Sequence, residues 1–154
     1  NTDAEGRLIL GDALTRAGED APELILDFAT LTGAARVALG PDLPALFASA
    51  DALAAALLDH GAAQADPLWQ MPLWAPYADM LKSDIADISN SGEGGFAGAI
   101  TAALFLKRFV PEGVAWMHID TFAWRPNAKP GRPRGGEAYG VRAAFAMLKA
   151  QYGR

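Results

Sequence analysis

Three ionisable side chains stand at alternate positions near the start of the chain, Asp3, Glu5 and Arg7, within Asn1-Thr2-Asp3-Ala4-Glu5-Gly6-Arg7. In an extended backbone, residues of equal parity point to one side, so two carboxylates and a guanidinium would converge on one space. Anions held together repel unless a cation lies between them. Carboxylates around two divalent ions form the arrangement in which one ion polarises a carbonyl while the other lowers the pKa of a water. The same residues also spell a capping box, Thr2-x-x-Glu5, with Asp3 and Glu5 favourable in the first turn of a helix. Spacing alone leaves both readings standing.

Other candidates carry less. His118 and Asp120 would share one strand face, which invites a metal site with histidine ligation; a strand-end histidine hydrogen-bonded to a carboxylate is the expected reading. Gly92-x-Gly94-x-x-Ala97 formally fits the alanine variant of the dinucleotide loop. Its acidic partner, due about 20 residues on, would have to be Glu112, which follows Pro111 at a helix end instead of closing a second strand. A dinucleotide-binding oxidoreductase using the Gly92–Gly98 loop is therefore the alternative function, and a close-packed loop before a helix the main reading. Arg125, Lys129, Arg132 and Arg134 could grip a phosphate or an acidic partner, but a solvated loop or subunit contact is expected. Trp69, Trp74, Trp116 and Trp124 are too scattered for a stacking platform.

The elements that must position these residues alternate between strand-like and helix-like, the pattern of helices packed on a mainly parallel or mixed sheet. A helix is expected from about Glu5 to Ala17, with Leu8, Leu10, Leu14 and Ala17 near one face. Glu23–Thr30 reads as a buried strand, and Leu31–Leu39 turns at Gly33 into a short helix. Pro44–Ser49 is a weaker strand and Asp51–Ala65 an alanine-rich helix. Asp66–Pro76, with three prolines, is an extended covering segment, and Tyr77–Leu81 a short helix. Ile85–Ser89 reads as a short strand ahead of the glycine-rich loop, Ala99–Val110 as a buried helix, and Val114–Asp120 as a strand. Glu137–Tyr152 is a terminal helix with Val141, Phe145 and Leu148 inward. No internal repeat or domain boundary stands out.

Composition narrows the function classes. The chain has 154 residues, 51% hydrophobic and 20% charged, enough for one compact domain with a sizeable core. With 13 basic against 18 acidic side chains the net charge is −5, so no global positive field draws phosphate backbones or anionic lipid, and neither nucleic acid nor membrane is an expected partner. The Leu53–Leu58 apolar run is bounded by Asp51 and Asp59, far short of the roughly 20 residues that span a bilayer. There is no cysteine, which fits a reducing compartment and leaves only oxygen or imidazole ligands for a metal. The chain opens at Asn1 on residues that already look like the middle of a site, so it is expected to be a fragment.

The octapeptide Asn-Thr-Asp-Ala-Glu-Gly-Arg-Leu at residues 1–8 resembles the signature of the M17 leucyl aminopeptidase family. Three further stretches resemble the same family in the same order. They are Asp27-Phe28-Ala29-Thr30-Leu31-Thr32-Gly33-Ala34, then Asp87-Ile88 and Asn90 with Gly92 through Phe105, then Trp116-Met117-His118-Ile119-Asp120. The resemblance implies an α/β fold with a mixed, largely parallel sheet flanked by helices, incomplete because the upstream half of the catalytic domain is absent. On this reading residues 1–154 are the C-terminal portion of that domain. It implies that Asp3 and Glu5 are ligands of two divalent ions, Glu5 bridging them, and that Arg7 holds a bicarbonate acting as general base. A permanently charged, planar guanidinium suits a planar oxyanion. Thr30, Leu31 and Gly33 match the lining of the pocket for the substrate's N-terminal residue, although a tight strand-to-helix turn explains them equally well.

The function implied is a dinuclear metallo-aminopeptidase releasing N-terminal amino acids from peptides, cytoplasmic and homohexameric. Its ions would be Zn or Mn, with Mg or Co also compatible. The family's remaining ligands, a lysine and two aspartates, and a catalytic lysine lie upstream of the signature. None of Lys82, Lys107, Lys129 and Lys149 sits in a matching segment, so these residues alone are expected to be inactive. Bulky Phe122 and Trp124 follow the late strand where the family commonly has small residues, which would reshape the specificity pocket if either faced it.

Overall fold

A computed structural model describes residues 4–92 and 94–153. Asp3, and with it one of the expected ligands, lies outside the described residues, as does Thr2 of the capping box. The elements in chain order are α1 (Glu5–Gly18), β1 (Leu24–Ala29), α2 (Gly33–Leu39), β2 (Ala45–Ala48), α3 (Asp51–Ala63) and β3 (Trp69–Gln70). After a 3-10 helix at Ala75–Leu81 come α4 (Gly98–Lys107), β4 (Ala115–Asp120), β5 (Trp124–Arg125), β6 (Gly135–Gly136) and α5 (Val141–Tyr152).

The main sheet has four strands in the order β1-β4-β2-β3. β1 runs parallel to β4 from Leu24 opposite Ala115 to Ala29 opposite Asp120, and β3 is parallel to β2. β2 runs antiparallel to β4, Phe47 opposite His118 and Ala45 opposite Asp120. The sheet is thus mixed and mostly parallel, as expected. Alternation along β4 divides the core. Met117 and Ile119 face α3 and α5 through Leu57, Ala143 and Met147. Trp116 packs on the opposite side with Leu14 of α1, Leu81, and Leu104–Leu106 of α4. Phe47 joins that side through Ala35 of α2 and Ala99 and Ala103 of α4. Helices therefore cover both faces.

Three local expectations fail for physical reasons. In α5 the buried residues are Ala143, Ala144 and Met147; of the three expected inward, Leu148 packs against the core, whereas Val141 and Phe145 are 47% and 67% exposed. α3 and α5 approach through small residues: a Cβ on Gly61 would lie 3.5 Å from that of Ala143. Close approach, not side-chain size, chooses the buried face. The helix also starts four residues later than expected. Gly140 adopts φ +81° and buried Asp66 accepts the N–H groups of Gly140, Arg142 and Ala143 at 3.0–3.1 Å, capping α5 from another segment.

The third failure bears on function. Ile85–Ser89 forms bends instead of a strand, with Ile85 98% exposed and the Ser83 hydroxyl accepting from the Ile85 and Ala86 N–H groups. The dinucleotide reading needs a strand running into the Gly92–Gly98 loop, and none is there. Gly92 is close-packed instead: a Cβ there would sit 3.2 Å from the Thr101 side chain of α4.

Candidate active site

Both parallel strands β1 and β4 end at the same edge of the sheet, at Ala29 and Asp120, and the carboxyl ends of parallel strands are where α/β folds place their ligands. A pocket of about 170 Å³ opens there, lined by Ala4, Glu5, Gly6, Arg7, Ala29, Thr30 and Leu31. Four of the six site residues expected from sequence, Glu5, Arg7, Thr30 and Leu31, thus meet in one place. Gly33 does not line it. It is the exposed first residue of α2, and a Cβ there would meet nothing closer than Arg36 Nη2 at 3.8 Å, so no tight approach of protein atoms demands glycine at this position. Asp3 lies outside the described residues.

The expectation that residues 5 and 7 share a strand face is corrected. α1 begins at Glu5 with Ala4 as its N-cap, so Glu5 and Arg7 are helical residues two positions and about 200° apart around the axis. They reach one pocket because it lies at the helix end, where the first turn opens toward the loop after β1. Glu5 is exposed and its carboxylate sits in the first turn, favoured there by the helix dipole. Arg7 is half-buried, and its Nη1 is buried without a hydrogen-bond partner among the described residues. Burial pushes the guanidinium below its ordinary pKa, and the charge of Asp120 pulls it partly back.

Beneath the pocket a polar strip runs along the sheet. His118, fully buried, lies laterally between Asp27 of β1 and Phe47 of β2. Its Nδ1 is 2.5 Å from Asp27 Oδ1, and Trp116 Nε1 donates to Asp27 Oδ2 at 2.8 Å. A carboxylate accepts, which places the shared proton on Nδ1 and leaves Nε2 buried without a partner. The partner of His118 is therefore Asp27, not Asp120, and among the described residues no group of three metal-binding side chains assembles.

Asp120 serves the pocket wall instead. Its Oδ1 accepts the N–H groups of Leu31 and Thr32 at 3.0 and 3.1 Å, and its Oδ2 accepts the Thr32 hydroxyl at 2.6 Å. Burial raises its pKa above the usual carboxylate range, opposed first by the Thr32 bonds. Sequence reasoning assigned no role to Asp27 or Thr32. The available signal was a carboxylate inside an otherwise apolar strand, which must find donors.

Two other expectations resolve here. Phe122 lies under Arg36, 4.5 Å from guanidinium to ring, and Trp124 is in β5; neither lines the Glu5–Arg7 pocket. Three of the four residues of the basic run are paired within the chain: Arg125 with Glu137 and Asp42, Lys129 with Asp42, and Arg132 with Glu137.

An α/β sheet with an acidic and a guanidinium side chain at the carboxyl ends of its parallel strands defines the class of fold. Comparison defines the family: residues 1–145 match the family model for the cytosol aminopeptidase family, catalytic domain, and the chain belongs to that family. It is 49% identical over 153 residues to a probable cytosol aminopeptidase of Syntrophotalea carbinolica, covering 98% of this chain and 30% of that protein. A probable cytosol aminopeptidase of Chlorobium limicola is 46% identical, with 97% and 30% covered. Among solved structures, a cytosol aminopeptidase from Coxiella burnetii superposes with a TM-score of 0.94 at 57% identity, covering 99% of this chain and 33% of the other. A tomato leucine aminopeptidase mutant gives 0.85 at 43% identity, over 96% and 29%. The chain spans about a third of the length of the relatives it matches.

Proposed function

We propose that this chain supplies the Glu5–Arg7 part of a dinuclear metal-dependent aminopeptidase site that removes N-terminal amino acids from peptides. The observation that carries the reading is Arg7, which lines one pocket with Glu5, Thr30 and Leu31 and whose buried Nη1 has no partner among the described residues. A buried guanidinium N–H is costly unless an acceptor arrives, and a planar oxyanion such as bicarbonate matches its fork. Glu5, with Asp3 beside it in sequence, offers the oxygen donors that suit Zn or Mn, and Mg or Co equally well. Bound divalent ions would supply Lewis-acid polarisation of the scissile carbonyl.

Within the chain, Arg7 would hold and orient a planar oxyanion, which would supply a general base at the site, and the Thr30–Leu31 wall would receive the first residue of the peptide. Hydrolysis needs ligands beyond these 154 residues, so the chain by itself is expected to be inactive. A cytoplasmic homohexamer is the assembly this reading carries with it.

The test uses full-length protein containing these residues, loaded with Zn or Mn. It should hydrolyse aminoacyl p-nitroanilides but not their N-acetylated forms, and lose activity on chelation. Arg7→Lys should lower kcat/KM by about 10²–10³, the usual cost of removing one well-placed oxyanion contact. Equal turnover of free and acetylated substrates, or an unaffected Arg7→Lys, overturns the reading.

A further inference from the structure

Asp120 is buried at the end of β4, flanked in the sheet by Ala29 and Ala45, and takes no part in the chemistry above. Its three acceptor contacts all go to the loop that follows β1, 88 and 89 residues away in sequence. The α2 N-cap does not require them, because Thr32 Oγ1 already accepts from Ala35 N at 3.0 Å. What they determine is the orientation of two peptide planes. The peptide bonds of the described residues are trans, and in a trans peptide the C=O points opposite to the N–H of the next residue. Drawing the Leu31 and Thr32 N–H groups onto Asp120 therefore turns the Thr30 and Leu31 carbonyls away from it. Thr30 and Leu31 are pocket-lining residues, and Asp120 is also the negative charge that acts on Arg7.

We propose that Asp120 is a positioning residue of the pocket: through Leu31 and Thr32 it orients the wall that receives the substrate's N-terminal residue. The inference rests on the aminopeptidase reading for its kinetic consequence but not for its structural one. Both N–H contacts fall on Oδ1, so Asp120→Asn keeps that acceptor, and its amide can donate to the Thr32 hydroxyl. Asp120→Ala removes everything.

The experiment measures, in full-length metal-loaded protein, aminoacyl p-nitroanilide kinetics and amide hydrogen exchange at Leu31 and Thr32. For Asp120→Ala, KM should rise about tenfold with kcat changed less than about threefold, the pattern of lost binding geometry. Exchange at the two amides should accelerate by about tenfold or more as their acceptor disappears. Asp120→Asn should return KM to within about threefold and restore slow exchange. Should Asp120→Ala fail to fold, Thr32→Val carries the test, since it deletes the hydroxyl contact without emptying a buried site; its KM should rise about threefold. Unchanged KM in the folded variants, an Asp120→Asn as impaired as Asp120→Ala, or unaltered exchange overturns the proposal. If the unsubstituted protein shows no aminopeptidase activity, that reading falls, while exchange at Leu31 and Thr32 still decides whether Asp120 holds the wall.

Discussion

The guanidinium of Arg125 is met from several sides. Its Nε and Nη2 donate to Glu137 Oε2 at 3.1 and 2.9 Å, its Nη1 donates to Asp42 Oδ1 at 3.2 Å, and the Tyr139 ring centre lies 5.3 Å from its Cζ. Tyr139 in turn donates to Asp42 at 2.7 Å, and burial together with that bond pushes its phenol up to about 12. At the carboxyl end of β1 and β4, Arg7 has a buried Nη1 with no partner among the described residues, and fully buried His118 has an Nε2 in the same condition. The Glu137 bond raises the pKa of Arg125, whereas burial lowers that of Arg7. A cation each of whose nitrogens is answered by its own chain holds the fold together. One left with an unanswered donor beside a cavity is poised for something that arrives from outside.

That contrast can be broken in measurable ways. The largest effect expected is functional: Arg7→Met in the full-length protein should abolish most of the proposed aminopeptidase activity, at least about 10²-fold in kcat/KM, while thermal stability stays level or rises, because an unsatisfied buried donor is removed. Arg125→Met should do the reverse. Glu137 and Asp42 would lose their counter-charge, so Tm should fall by several degrees, with KM little changed. A fall in Tm for Arg7→Met as large as that for Arg125→Met would erase the distinction.

Acid titration sharpens the comparison because the two regions respond with opposite sign. Asp42 is held below the ordinary carboxylate range, first by its bond from Lys129. A depressed folded-state pKa contributes stability that is present above the unfolded value, about 3.9, and is lost as pH falls through the folded one. Asp42→Asn should therefore lower Tm at pH 7, by an amount that shrinks as pH falls below about 3.9. Asp120 is raised by burial, so its ionisation costs stability, a cost absent below about pH 3.9 and complete once pH exceeds its folded pKa. Asp120→Asn should accordingly gain in Tm relative to the unsubstituted protein as pH goes from 4 to 7. The smallest effect belongs to Lys129, whose side chain is half exposed: Lys129→Ala should cost less than about 1 kcal/mol and show it only at low salt. Chemical denaturation at two ionic strengths would measure it.

Much of this architecture was legible in the residues. The apolar run at residues 24–29, the one ending at Asp120, and the alanine-rich stretches gave the strands and helices nearly at their observed limits, since period and punctuation are local properties. The octapeptide at residues 1–8 pointed to the family, and Glu5, Arg7, Thr30 and Leu31 do line one pocket. Local patterns misled where helix packing or a competing side-chain bond decided the outcome. Val141 and Phe145 face outward because α3 meets α5 through Gly61 and Ala143, and Ile85 is exposed because Ser83 turns the chain before a strand can form.

By itself, then, the order of residues determined which segments are helix or strand, the family, and which side chains carry charge near the carboxyl edge of the sheet. Only tertiary packing decided which charges are answered. Asp120 reaches Thr32, Asp27 reaches His118, and Asp42 and Glu137 reach Arg125 across separations of 12 to 91 residues. Hydrogen bonds act over about 3 Å, a distance that chain neighbours satisfy automatically and remote residues satisfy only after the fold has closed.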